Sequence, residues 1–233
     1  MLISGIQKMS LLDFPGVIAA IVFTPGCNFR CGYCHNPEFV LPERIAEIRP
    51  SFIKEEVFFN FLEKRKGVLD GVVVTGGEPT LMPDLLPFLA KLKERGFKVK
   101  LDTNGNRAGV LRAAMDAGLV DYVAMDVKTS MDEYLNLVGN LASAENLRES
   151  MKMLMAGSVP YEFRSTLIKE THTPEVIADM VALMTGAQRV ALQTFRPGNT
   201  LCAKFGDYHA FSDDEMEAIR QQFLPVAGEV IMR

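Results

Sequence analysis

The 233-residue chain has no tryptophan, three histidines and four cysteines. Four cysteines, three of them clustered, do not make the disulfide framework of a small secreted domain, and in a reducing compartment clustered thiols more often bind metal. Positive charge is also in short supply. Lys and Arg total 25 against 29 Asp and Glu, a formal net charge of -4, which excludes the basic excess of a nucleic-acid-binding surface. The longest apolar run near the N-terminus, Val17 to Phe23, is far short of the roughly 20 residues a bilayer span needs. Residues 1–16 lack the charged-then-apolar pattern of a signal peptide. The expectation is a cytoplasmic protein without nucleic-acid or membrane partners. With no repeat, low-complexity tract or Pro/Ser-rich linker, no domain boundary is placed within 1–233.

What is present is the composition of an ordinary globular protein, 48% hydrophobic and 23% charged, long enough for a sizeable core. Strand-like and helix-like stretches alternate. Strands are expected at Val17–Phe23, Val72–Thr75, Lys98–Leu101, Tyr122–Met125, Tyr161–Ile168 and Val190–Thr194, with a last short one at Glu229–Met232. Helices are expected at Ser51–Lys66 with Ser51 as N-cap, Leu85–Arg95, Arg107–Ala117, Ala144–Met155, Pro174–Met184 and Ser212–Phe223. Gly96, Gly118 and Gly157 sit where helices stop. Strand-then-helix units imply parallel strands with right-handed crossovers, either a doubly wound sheet or a partial barrel. Polar motifs follow all six main strands. A doubly wound sheet gathers its ligand at one switch point, whereas a barrel gathers every strand end at one mouth, so a partial barrel is favoured.

The densest of these motifs is Cys27-Asn-Phe-Arg-Cys31-Gly-Tyr-Cys34-His-Asn36, spaced C-x3-C-x2-C at the end of the first strand. Structural zinc wants four protein ligands. The fourth cysteine, Cys202, is remote and reads as an ordinary thiol, and His35 adjoins Cys34 and is poorly placed to join it. Closely spaced thiolates suit an iron–sulfur cluster, and three of them leave one iron of a four-iron cubane open. A zinc-binding interaction module and a buried set of reduced thiols are the blander readings.

This spacing, with Tyr33 just before the last cysteine and Gly76-Gly77-Glu78-Pro79 after the second strand, resembles the radical S-adenosylmethionine (SAM) enzymes. The resemblance runs from about Gly5 to Pro197. It implies an α/β fold, a partial (βα)6 TIM-like barrel, as one radical SAM domain with its core at about 16–200. It implies a [4Fe-4S] cluster on Cys27, Cys31 and Cys34 and SAM as cosubstrate. Tyr33, His35 and the Gly76-Gly77-Glu78-Pro79 segment are implied at the cofactor. Without side chains Gly76 and Gly77 let backbone approach a ligand. Glu78 would accept from the ligand's amino group or cap a loop.

Asp102-Thr103-Asn104-Gly105 and Asp126-Val127-Lys128 are similar to segments of glycyl-radical-enzyme activases. That likeness implies a monovalent cation on Asp102, Thr103 and Asp126, Lys128 as partner for a carboxylate, and Asn104 in the cofactor site. An Asx turn and a solvated lysine are the plain alternatives. Arg164, inside an apolar strand pattern, pairs with an acid or ligand if it faces inward, or with Glu162 if it faces outward. Gln193 is placed where activases contact adenosine. His172 and His209 read as loop histidines without visible partners.

No cysteines remain for auxiliary clusters, and one helix is expected between Cys34 and Gly76. Such a minimal core is typical of activases. The stretch Gly5 to Gly16, leading into Phe23-Thr-Pro-Gly-Cys27, is similar to activators of anaerobic ribonucleoside-triphosphate reductase, with the pyruvate formate-lyase activase group close behind. The resemblance implies a glycyl radical enzyme as protein partner and reduced flavodoxin or ferredoxin as electron donor. A small-molecule radical enzyme such as a deazaguanine-type synthase is the other enzymatic reading.

Overall fold

The computed structural model describes residues 1–34, 36–198 and 200–233. His35, expected at the cofactor, and Asn199, in the motif after the sixth strand, lie outside the described residues. The chain forms two compact units, Met1–Asn28 with Glu38–Val123, and Phe29–Pro37 with Ala124–Arg233.

The first unit opens with strand β1 (Gly5–Ser10) and β2 (Ala19–Thr24), and continues through helices α1 (Pro42–Ile48) and α2 (Glu55–Glu63). Then come β3 (Gly71–Gly76), α3 (Leu85–Glu94), β4 (Lys98–Thr103) and α4 (Ala108–Asp116). β1 pairs antiparallel with β2, and β2, β3 and β4 pair in parallel. The register sets Ala20 beside Val72 and Val22 beside Val74, with Val72 and Val74 beside Val99 and Leu101. Side chains alternate between faces, so this row makes one wholly apolar face. The other face carries Ala19, Ile21 and Val73 in a cluster with Phe14, Val17 and Tyr122, and there Val73 has Lys100 as its neighbour on β4. Helix α2 buries Phe58, Phe59 and Leu62, and the Phe58 and Phe59 rings meet Phe88 of α3 at 6.0 and 5.4 Å.

Strand β5 (Tyr122–Asp126) straddles the division. Before it, Asp121 N–H donates to the Val99 carbonyl; after it, Val127 N–H donates to the Arg164 carbonyl. The second unit goes on with α5 (Tyr134–Val138), α6 (Ala144–Ala156), β6 (Tyr161–Leu167), α7 (Pro174–Leu183), β7 (Ala187–Thr194), α8 (Asp213–Phe223) and β8 (Ala227–Met232). β6, β7 and β8 are parallel. Phe163, Leu167, Val190, Leu192 and Val230 are buried on one face. The opposite face carries Arg164, Thr166 and Gln193, with Arg189 opposite Glu229. Parallel strands covered on both faces read as continuous apolar runs. Here the alternation leaves one face to polar groups.

All six main strands fall where the apolar runs place them, and the side chains of Ser143, Thr173 and Ser212 cap the starts of α6, α7 and α8. Gly96 and Gly118 take positive φ, 84° and 64°. Ser212 forms a full capping box with Glu215, a motif worth roughly 1 kcal/mol. Ser51 does not cap the second helix. It ends a short 3-10 turn, its hydroxyl donating to Ile48, and α2 begins after Lys54. β1, α1 and α5 add to the expected elements. The stretch between Cys34 and Gly76 therefore holds two α-helices rather than one. No helix among the described residues is long and apolar enough to cross a membrane.

Candidate active site

In the first unit the site is built by main chain. The strand-end turn of β3 lies directly on the segment that leads into Cys27. Gly77 N–H donates to the Thr24 carbonyl at 2.8 Å and Glu78 N–H to the Gly26 carbonyl at 2.7 Å. Gly76 has φ of 122°. A Cβ on it would strike Thr24 backbone, and one on Gly77 would strike the Gly26 carbonyl oxygen. Both glycines are thus required by the chain's approach to itself. The two N–H groups that could face a ligand are spent holding residues 24–26.

Glu78 is buried at 1% exposure, and both its carboxylate oxygens accept hydrogen bonds. It accepts from Thr80 N–H and hydroxyl, from Thr103 Oγ1 at 2.8 Å and from Asn104 N–H at 2.7 Å. Burial pushes its pKa up against the pull of these donors. Glu78 caps the short turn after β3 and ties it to the turn after β4. Pro79 is buried and opens the short 3-10 turn that Glu78 caps. The Asn104 amide donates to Asn28 Oδ1 at 2.8 Å and lies 4.0 Å from the Cys27 sulfur. Asp102 is paired with the ammonium of Lys100, which is 1% exposed and 6.0 Å from the centre of the Tyr122 ring. Sequence reasoning missed Lys100. Its i, i+2 spacing from Asp102 on one strand face was the available signal.

In the second unit the site is built by side chains. Cys34 N–H donates to the Cys31 carbonyl. Leu201 and Cys202 N–H groups donate to the Cys34 and Gly32 carbonyls at 3.2 and 2.9 Å, stitching the segment after β7 to the cysteine loop. A Cβ on Gly32 would collide with the Phe205 ring, whose centroid is 6.0 Å from that of Tyr33. The Tyr33 hydroxyl is buried and meets no hydrogen-bond partner among the described residues. Lys128 Nζ lies 5.8 Å from the Tyr33 ring centre and 3.2 Å from Asp126 Oδ2, while Arg164 Nε donates to Asp126 Oδ1 at 2.9 Å. Arg164 thus faces inward and pairs with an acid, but that acid is Asp126. Glu162 is bound instead by both terminal nitrogens of Arg233, at 3.0 and 2.9 Å. Burial works to raise the Asp126 carboxyl, but Arg164 and Lys128 prevail and hold it at about 2. Gln193 accepts from Thr166 Oγ1 at 3.4 Å and lines a cavity of about 560 Å³ with Thr166, Thr194, Arg196 and Arg233.

The four cysteines are thiols outside any disulfide among the described residues. Burial pushes the Cys31 thiol up to about 11, with the nearby Lys128 opposing. Such a thiol is inert until a metal displaces its proton. Three thiols in eight residues, a glycine where Phe205 closes on the loop and a charged pair beside it fit a thiolate-bound cluster with a zwitterionic cosubstrate. Among the described residues no group of three or more Cys, His, Asp or Glu side chains is already gathered on one metal position. Convergence of the three thiols therefore rests on their spacing. The carboxylates expected to hold a monovalent cation are each paired with a cation of the chain, and Thr103 is bound to Glu78.

Comparison with known proteins gives one consistent answer. The model of the Radical SAM superfamily matches residues 21–183, which run through both units. A candidate glycyl-radical enzyme activating enzyme of Methanocaldococcus jannaschii is 30% identical over 239 aligned positions, covering 100% of this chain and 95% of that one. The pyruvate formate-lyase-activating enzyme of Clostridium pasteurianum is 35% identical over 133 residues, and the match spans about half of each chain, 56% of this one and 54% of that one. Among solved structures, Streptococcus suis SuiB bound to S-adenosylmethionine aligns over 91% of this chain and 51% of its own, with a TM-score of 0.65 and 13% identity. A domain of pyruvate-formate lyase-activating enzyme from Bacteroides vulgatus covers 70% of this chain and 98% of its own, at TM-score 0.54 and 16% identity. At those identities the structures bear on fold alone, and they agree with the partial barrel.

Proposed function

Because this chain belongs to the radical SAM superfamily, we propose that it is a glycyl-radical-enzyme activase, acting on a protein partner rather than on a small molecule. Membership implies a [4Fe-4S] cluster and SAM. When bound, they supply an electron to the sulfonium and, from its cleavage, a 5'-deoxyadenosyl radical that removes a hydrogen atom. Cys27, Cys31 and Cys34 are the thiols proposed to hold the cluster. The rest of the chain's work is to bind, orient and exclude.

The single observation that carries this reading is the Lys128–Asp126–Arg164 group set against Tyr33 of the cysteine loop. A cosubstrate with an amino-acid end needs a cation for its carboxylate and an anion for its ammonium. Lys128 and Asp126 provide both within one packed unit, and Arg164 keeps Asp126 ionised. Asn104 steadies the start of the cysteine loop through Asn28. Gln193 offers an amide to an adenine edge from the wall of its cavity. A monovalent cation at Asp102, Thr103 and Asp126 belongs to this proposal only where it displaces Lys100 and Lys128, so weak binding is expected.

The likeness to an activating enzyme across nearly all of both chains supports an activase. The N-terminal stretch before Cys27 makes anaerobic ribonucleoside-triphosphate reductase the first candidate partner. A pyruvate formate-lyase-like enzyme is the second, favoured by the partial matches to that activase. A cytoplasmic location, and reduced flavodoxin or ferredoxin as donor, belong to the same proposal, as does one domain spanning 1–233 with its core at about 16–200. Anaerobic reconstitution followed by reduction should give SAM cleavage that is lost in Cys31→Ala. Mixing with each candidate partner should then give a glycyl EPR doublet with one of them. A colourless protein carrying one zinc would overturn the chemistry. Turnover of a small molecule with no partner present would overturn the activase reading.

A further inference from the structure

His172 is 1% exposed, although the sequence reads it as a loop residue without a partner. It sits in the turn after β6, and both ring nitrogens are engaged. Nε2 lies 2.9 Å from the Lys128 carbonyl oxygen, just beyond β5. A carbonyl only accepts, so Nε2 carries the hydrogen. Nδ1 lies 2.9 Å from the Ile168 main-chain nitrogen, an N–H that only donates, and 3.2 Å from the Ile168 carbonyl oxygen, which only accepts. The shorter contact makes Nδ1 the acceptor, with Thr171 Oγ1 also at 2.9 Å. The neutral tautomer with hydrogen on Nε2 satisfies the shortest contact of each ring nitrogen. Burial lowers the imidazole pKa against the pull of the Lys128 and Ile168 backbone.

The other main-chain group of Lys128 is pinned as well. Its N–H donates to the Tyr134 hydroxyl at 3.1 Å, and that hydroxyl lies 3.3 Å from the Asp126 carbonyl oxygen. The Tyr134 ring packs edge-on to Phe29 of the cysteine loop, centroids 6.2 Å apart. One residue back, the Val127 carbonyl accepts from Ser165 Oγ at 2.6 Å. Fixing the Lys128 backbone fixes the origin of a four-carbon stem whose ammonium lands beside Asp126 and over Tyr33.

We propose that His172 is a positioning residue for Lys128: as a neutral bridge between the ends of β5 and β6 it sets where the Lys128 ammonium stands. The positioning rests on geometry alone. Its consequence, that His172 governs affinity for the carboxylate of an amino-acid ligand, rests on the function proposed above.

The test uses the full chain without cluster. With only three histidines, nitrogen-15 shifts of the imidazoles should show His172 as the neutral Nε2–H tautomer near pH 7.5; the opposite tautomer or an imidazolium would overturn the proposal, whatever any variant does. Labelling with an amine-reactive reagent, read by mass spectrometry, should find Lys128 protected relative to Lys152 and Lys169. His172→Leu removes both hydrogen bonds and should raise Lys128 labelling about tenfold, with the two control lysines unchanged. His172→Gln, which can both accept and donate, should restore protection. Unchanged Lys128 labelling in a folded His172→Leu protein would overturn the positioning; if that variant fails to fold, a His172→Gln protein as reactive at Lys128 as denatured chain does the same. In reconstituted protein, equilibrium dialysis with SAM should show weaker binding for His172→Leu and recovery for His172→Gln. Changed labelling with unchanged binding would leave the positioning standing and overturn the role given to Lys128.

Discussion

The two units solve one problem, holding loops still at strand ends, in opposite ways. In the first unit the turns are fixed by backbone: Gly76 and Gly77 lie on residues 24–26, and Glu78 spends every oxygen lone pair it can on neighbouring loops. In the second unit they are fixed by charge and side chains, with Arg164 and Lys128 on Asp126, Arg233 on Glu162 and His172 on Lys128. The difference follows from composition. The inner row of the first unit is Ala19, Ile21 and Val73, with one ion pair at its edge. The row of the second unit that carries Arg164, Thr166, Gln193, Arg189 and Glu229 is mostly polar. Changes in the first unit should therefore act through stability, and changes in the second through charge and pH.

The largest effect should come from Gly77→Ala. The new Cβ has nowhere to go against the Gly26 carbonyl, and a loss of more than about 3 kcal/mol is expected by chemical denaturation, salt-independent as a steric effect must be. Next is Lys100→Met, which strands Asp102 without its counter-charge and should cost about 3 kcal/mol. Adding Asp102→Asn should recover much of that loss. Added potassium should recover some of it too if a monovalent cation can occupy Asp102, so a titration of melting temperature against KCl tests the cation expectation directly.

Arg164→Met should cost less at neutral pH, about 2 kcal/mol, and change the acid limb. The Asp126 carboxyl stands at about 2 in the folded chain against an ordinary 3.8. Its contribution is complete above pH 3.8 and is lost as pH falls towards 2, because the unfolded chain takes up the proton first. That is worth up to about 2 kcal/mol, and Arg164→Met should flatten stability against pH in that interval. The smallest effect belongs to Arg189→Ala, which breaks the exposed pair with Glu229. It should cost below about 1 kcal/mol, and less at high salt. If Arg189→Ala proved as costly as Arg164→Met, exposure would not separate the two pairs, one exposed and one half-buried.

Much of this was legible because it is local. An apolar run between turn signals marks a strand, and three thiols within eight residues point to a metal whatever surrounds them. The Gly-Gly turn is legible for the same reason, whereas its close approach to residues 24–26 is visible only in the fold. β1 escaped notice because Gln7, Lys8 and Met9 are exposed and carry no alternation, its partner being chosen by the turn rather than by a pattern. α1 buries no residue, so it has no apolar stripe to read. The partners of Arg164, Glu162 and His172 lie on or just beyond other strands, 38, 71 and 44 residues away. Nothing short of the fold could name them.

The cysteine loop, residues 29–37, packs with residues 124–233, and its hydrogen-bond partners Leu201 and Cys202 come very late in the chain. At a synthesis rate of roughly 5–20 residues per second, tens of seconds can pass between the emergence of Cys34 and that of the segment that covers it. During that interval Cys31 and Cys34 are ordinary thiols on an unfinished chain. The finished protein shields one of them by burial; the nascent one shields neither. Oxygen should therefore do its greatest harm during translation, and a pulse of air given to growing cells should cost more active protein than the same pulse given to the purified apo chain.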